Sequence, residues 1–250
     1  MKTEAKIEIN GATLYGIFAV PKNSVGIVIF VHGSGSGRFS PRNNFVAEVL
    51  NKQGIATLLP DLLTEEEDSV YENRFDITLL TKRLTKISDW LRNQDEIKDL
   101  PVGLFGASTG AAAALSLAAD LGEKVTAIVS RGGRPDLAMG KLEKVSSPTL
   151  LIVGGEDREV IELNNKALKE LRCEKKLEII PNATHLFEEP GTLEEVAQLA
   201  VSWFKQFLAP STETEENIPP RFRNESEGPS KPHGKIRGRE REDYWHFHRK

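Results

Sequence analysis

Hydrophobic and polar positions follow two different periods along the first 209 residues. Short apolar runs bounded by Gly, Pro, Asn or Asp predict strands at 6–9, 13–20, 25–31, 55–59, 102–105, 125–129, 149–153 and 177–180. Between them the spacing lengthens to three and four. Asp76 is placed to cap a helix whose Ile77, Leu80, Leu84, Ile87 and Leu91 share one face. Residues 111–121 are almost all Ala and Leu, a good helix former able to pack closely on a sheet. Thr192 and Glu195 match a capping box ahead of a face made by Leu193, Val196, Leu199, Trp203 and Phe207. Strands alternating with helices predict βαβ units, hence an α/β fold with a mostly parallel central sheet flanked by helices. Asn10-Gly11 between the first two runs is a hairpin signal, so the sheet is expected to begin with an antiparallel pair.

Composition changes this picture at the C-terminal end. The 250 residues are 39% hydrophobic, enough for a substantial core. Residues 210–243, however, are rich in Pro, Glu, Ser and Arg and nearly without large apolar side chains. Such a stretch buries too little apolar area to offset its ordering entropy. The expected organisation is therefore an α/β domain over 1–209 and a disordered polar tail over 210–250, with an aromatic end at 244–248 and no partner evident from its residues. The net charge of −4 speaks against a protein built to coat nucleic acid. A single cysteine, Cys173, excludes an internal disulfide and a Cys-rich zinc module. The polar start, Met1-Lys-Thr-Glu-Ala-Lys6, lacks a signal-peptide core, and no apolar run approaches the ~18 residues of a membrane span. A soluble cytoplasmic protein with no membrane or nucleic-acid partner is the expectation.

Three strand ends carry chemistry, and ligands of open parallel sheets bind beyond such ends. Gly106-Ala-Ser108-Thr-Gly110 lies between a buried-strand run and a helix. The small residues suit a sharp turn that lifts the serine hydroxyl clear of the backbone. A helix N-terminus then faces the reacting atom, where negative charge develops. A serine nucleophile needs a base, and the base needs an orienting carboxylate. Only His32 and His185 lie in the body of the chain, and His185 follows the strand at 177–180. Asp157 follows the strand at 149–153, with Glu156 as a neighbouring competitor and Asp136 as a weaker one. The order Ser108, Asp157, His185 is that of α/β-hydrolase triads. The glycine-rich run His32-Gly-Ser-Gly-Ser-Gly37 lets backbone N–H groups approach an oxyanion, and the N–H groups of Ser34 and Thr109 are the expected donors. His32 is expected to shape that loop rather than act as a base.

These segments resemble the dienelactone hydrolase family of α/β-hydrolases. The matching pieces are His32-Gly-Ser-Gly-Ser-Gly-Arg38, Gly106-Ala-Ser-Thr-Gly110, Gly155-Glu-Asp157 and Ala183-Thr-His185, over residues 1–209. The resemblance implies a central sheet of about eight strands, a catalytic triad, no metal and no organic cofactor. Dienelactone hydrolases proper use a cysteine at the elbow, where this chain has Ser108; Cys173 lies between a helix and a strand. The chain thus resembles a serine-nucleophile member acting on an ester, lactone or related acyl bond of a small molecule, and the dienelactone substrate itself does not carry over.

Arg38 and Arg42 after the glycine loop, and Arg131 and Arg134 after the strand at 125–129, could clamp an anionic substrate or serve as solvated loop charges. The acidic run within 62–71 reads as a loop or a lid. In the tail, Lys235–Arg239 is basic but adjoins acidic residues, and His246 and His248 lack a third metal ligand. Asn182 and Asn224 match glycosylation acceptors without a secretory context. Two other function classes fit the residues less well. A dinucleotide fingerprint would need glycine at Arg38 or Ser40, and no phosphate-loop motif is present. A non-catalytic interaction protein on the same fold would have no need of all three triad residues.

Overall fold

The computed structural model describes residues 2–9 and 11–209. Asn10 and all the tail features lie outside the described residues: the aromatic end, the basic cluster, His246, His248 and Asn224. Eight strands form one sheet: β1 (Lys2–Ile9), β2 (Ala12–Ala19), β3 (Ile27–Val31), β4 (Ala56–Pro60), β5 (Val102–Ala107), β6 (Ala127–Arg131), β7 (Thr149–Gly154) and β8 (Lys175–Ile180). Their order across the sheet is β1-β2-β4-β3-β5-β6-β7-β8. β2 runs antiparallel to β1 and β4, and every other pairing is parallel. The hairpin register pairs Ile9 with Ala12, and Gly11 takes φ +82°.

The central strands are buried on both faces, and alternation sorts their side chains into two cores. On β3, Ile27, Ile29 and Val31 join one core, while Val28 and Phe30 join the other. The first core is covered by α3 (Ile77–Leu91) and α4 (Thr109–Leu121). The second is covered by α1 (Pro41–Lys52) and α6 (Thr192–Leu208). Helix α4 is buried all round because its alanines let sheet and helix approach from every side. Gly103 on β5 has a packing reason of its own: a Cβ there would meet Phe204 Cε1 at 2.7 Å.

Helix starts divide into foreseen and unforeseen cases. The Asp76 carboxylate accepts from Leu79 N–H at 2.9 Å, as a cap of α3. Thr192 and Glu195 do not form a capping box. Gly191, at φ +84°, takes the cap position, and the Thr192 hydroxyl donates to Glu189 O instead. The buried stripe of α6 is also rotated from the expected one. Val196, Ala200, Val201, Phe204 and Leu208 are buried with Trp203, while Leu193, Leu199 and Phe207 are partly buried at the edge. A capping box does occur in α2 (Glu65–Asp68), where Thr64 and Glu67 bond reciprocally. Leu62 and Leu63 ahead of it are buried, so the acidic stretch is anchored to the core rather than free. Helix α1 starts with Ser40 as cap and Pro41 in its first turn, a signal the hydrophobic pattern did not reveal.

Candidate active site

The elbow between β5 and α4 is built from close approaches that side chains would block. A Cβ on Gly110 would meet Val31 O at 2.1 Å, and one on Gly106 would meet Ala111 Cα at 2.5 Å. Ser108 between them is held at φ +50°, ψ −124°. A non-glycine residue in that region is strained and persists only where its surroundings hold it. Here Ser108 N–H donates to Arg131 O, and Arg134 N–H donates to Ser108 O. Gly33 completes the setting, because a Cβ there would stand 3.0 Å from Ser108 Cβ.

The acid and the base come together through two docked loops. After β7, Gly155 N–H donates to Ile180 O and Glu156 N–H to Ala183 O, which ties this loop to the one after β8. Gly154 permits the contact, since a Cβ there would meet Ala183 O at 2.4 Å. Helix α5 (Arg158–Glu170) begins just beyond, with Asp157 at its cap position. The Asp157 carboxylate caps nothing. It accepts instead from His185 Nδ1, at 2.6 Å. Of the three acids the sequence offered, Asp157 is the one on His185; Asp136 is bonded to Arg134 through both carboxylate oxygens at 2.8 Å. Ser108 and His185 line one cavity of about 250 Å³, together with Gly33 and Ser34. Cys173 lies between α5 and β8, half-buried, with its thiol directed at Thr149 Oγ1.

Ser34 and Thr109 also meet. Ser34 N–H donates to Thr109 Oγ1 at 3.0 Å, so that amide is engaged by a hydroxyl rather than free. Thr109 is the first residue of α4, and its own N–H precedes the helical hydrogen-bond ladder. His32 is buried and bonded on both ring nitrogens: Nδ1–H donates to Gly33 O, and Nε2 accepts from Leu62 N–H at 3.1 Å. Burial holds its imidazole below the usual histidine range. It thus fastens the glycine loop to the segment after β4, as a neutral strut.

The four arginines separate. Arg131, 8% exposed, and Arg42 line the Ser108 cavity. Arg38 lies along a different hollow with Asp61 and Thr64, and is bonded to Asp61. Arg134 is paired with Asp136 and does not line the Ser108 cavity. Asn43, in the first turn of α1, is a further lining residue that sequence reasoning missed. The Ser40-Pro41 start of a helix just beyond β3 was the signal that could have found it. Among the described residues, no group of three or more His, Cys, Asp or Glu is gathered for a metal, and no helix is long and apolar enough to cross a membrane.

The family model for the dienelactone hydrolase family matches residues 14–210. The chain belongs to the dienelactone hydrolase family. A solved structure of a dienelactone hydrolase from Anabaena variabilis is 52% identical, with a TM-score of 0.80, covering 83% of this chain and 98% of that one. Two curated relatives, from two strains of Mycobacterium tuberculosis, are 54% identical over 205 residues and carry the name putative phosphoribosyl transferase. The match takes in 82% of this chain but 46% of theirs, so the chain spans about half the length of those relatives. Est1E from Butyrivibrio proteoclasticus shares the fold at 18% identity and a TM-score of 0.70, covering 81% of this chain and 98% of that one. Membership makes the chain one of a hydrolase family.

Proposed function

We propose that this member is a serine hydrolase that cleaves an ester or lactone bond of a small molecule through an acyl-enzyme. The observation that carries the reading is the bond of 2.6 Å between Asp157 and His185, in a cavity that His185 shares with a serine held at φ +50°. His185 takes the Ser108 proton as Oγ attacks the carbonyl carbon, and Asp157 keeps the ring in the tautomer with its proton on Nδ1. The carbonyl π pair moves to oxygen. When it returns, the ester C–O bond breaks and His185 passes its proton to the leaving alkoxide. Water, deprotonated by His185, then attacks the acyl carbon, and Ser108 leaves with the proton.

The oxyanion is assigned to the N–H groups of Thr109 and Ser34. The Thr109 hydroxyl must turn away to release the second, so substrate competes with an internal bond there. Phosphoribosyl transfer, named for the curated relatives, is not part of the proposal, since more than half of those proteins lies outside the match. Substrate class aside, the test is labelling by a fluorophosphonate, with Ser108→Ala and His185→Ala beside wild type. Labelling is expected in wild type, lost in Ser108→Ala and sharply slowed in His185→Ala. A folded wild type that does not label overturns the reading.

A further inference from the structure

We propose that the Ser108 cavity takes esters or lactones bearing a phosphate monoester, held between Arg131 and Arg42. The proposal rests on the serine-hydrolase reading of the same cavity and names its substrate class. It starts from charge that the chain does not balance. Arg131 is the last residue of β6, in register with Ala107 beside the nucleophile. Its Nε and Nη1 are buried and have no hydrogen-bond partner among the described residues. The Phe187 ring, whose centroid is 5.9 Å from the guanidinium carbon, is its aromatic neighbour. Arg42 Nε is likewise buried and unpartnered; its carboxylate contact is Glu188, at 3.2 Å on the exposed rim. Asn43 Oδ1 on the same wall is also unpartnered, so it satisfies neither guanidinium.

Burial, and then the charge of Arg42, push the Arg131 guanidinium down to about 10. It is still protonated at neutral pH. Two positive charges therefore face a cavity that no carboxylate lines among the described residues. A buried, unpaired cation is costly in any fold and becomes favourable once a counter-anion arrives. A phosphate monoester carries close to two negative charges at neutral pH and offers three acceptor oxygens. It matches two guanidiniums and their unsatisfied N–H groups, which are suited to bidentate bonding. A carboxylate offers two oxygens to the three unpartnered nitrogens, Arg131 Nε, Arg131 Nη1 and Arg42 Nε, whereas a phosphate offers three. The hydroxyls of Ser36 and Ser40 on the cavity wall add donors for the third oxygen.

The test uses the full chain in two assays. In the first, calorimetry follows inorganic phosphate and phenyl phosphate binding to Ser108→Ala, with and without Arg131→Met or Arg42→Gln. Binding that both arginine substitutions weaken is expected; no binding to a folded Ser108→Ala overturns the proposal. In the second, kcat/KM is compared for three matched acetate esters that carry a phosphate, a carboxylate or no charge. Each arginine substitution should cost roughly 100-fold more on the phosphate ester than on the neutral one. Equal losses on all three overturn the proposal, as does an equal or greater preference for the carboxylate ester. Phosphate binding without fluorophosphonate labelling would overturn the serine-hydrolase reading and leave the anion site standing. Labelling without phosphate binding would do the reverse.

Discussion

Arg38 and Arg131 both stand near the carboxyl edge of the sheet, one in the loop after β3 and one at the end of β6. Asp61 accepts from the Arg38 backbone N–H at 2.8 Å and bonds its guanidinium as well. Glu4 is a second carboxylate, at 3.9 Å, and the Phe39 ring lies 4.4 Å away. Arg131 is more deeply buried and has the Phe187 ring, but among the described residues no carboxylate is paired with it. The contrast teaches how to read a charged side chain near a site. A cation whose charge is matched within the chain holds structure together, here the glycine loop against the end of β4. A buried cation left unmatched is a cost to the fold, and its use has to lie outside the fold.

The largest effect expected separates the two aspartates. Asp157→Asn should lower kcat for an ester by about 10⁴-fold, because the ring of His185 loses its tautomer and its counter-charge. Asp61→Asn, on the matched pair, should leave kcat within about one order of magnitude of wild type, since Asp61 touches neither Ser108 nor His185. Comparable rate losses for both would erase the distinction between clamp and chemistry.

Stability should part the two arginine regions in opposite directions. Asp61→Ala strands a part-buried guanidinium and an N–H, and should lower the unfolding free energy by about 2 kcal/mol in urea melts. Arg131→Met removes an uncompensated buried charge while keeping most of the packed volume, and should raise it by about 1 kcal/mol. A loss on Arg131→Met would mean that the guanidinium is satisfied within the fold after all.

The strut between these regions is expected to respond to pH. His32 is held neutral by burial, so its folded value lies below the usual ~6.5 and the unfolded chain takes up the proton first. Its contribution is complete above the unfolded value of ~6.5 and falls away as the pH drops from there toward the folded value. His32→Gln should cost about 1 kcal/mol at pH 8, where the bond to Leu62 N–H is lost. It should also flatten the pH dependence of Tm between about 6.5 and 5. A variant whose slope matches wild type would place the acid sensitivity elsewhere. The smallest effect belongs to Arg134→Ala, which breaks a part-buried local pair with Asp136 two residues away, at less than about 0.5 kcal/mol. A larger loss in melts would promote that pair from solvated loop to clamp.

Much of the candidate site is legible in the sequence because its parts are local. A strand, a Gly-x-Ser-x-Gly and a small-residue helix lie consecutively within residues 102–121, and the glycines occupy places where a Cβ would strike backbone. The hairpin and the alternation of strands with helices are local in the same sense. The Thr192–Glu195 pattern failed although it is local, because Gly191 can adopt the left-handed conformation and took the cap position. The start of α1 was missed because its first turn carries Arg42 and Asn43 rather than an apolar repeat.

From the sequence alone came the fold class, the elbow and the chain order of Ser108, Asp157 and His185. Each rests on neighbours a few residues apart, where backbone sterics and side-chain period act without help. Tertiary structure decided the strand order, with β4 inserted between β2 and β3, and which acid reaches His185 across 28 residues of chain. It also decided which arginines are neutralised. Arg38 finds Asp61 from 23 residues away, whereas no described carboxylate lines the cavity that Arg131 lines. Charge compensation depends on distance in space and on the water excluded between groups, and neither is written in the spacing of residues along a chain.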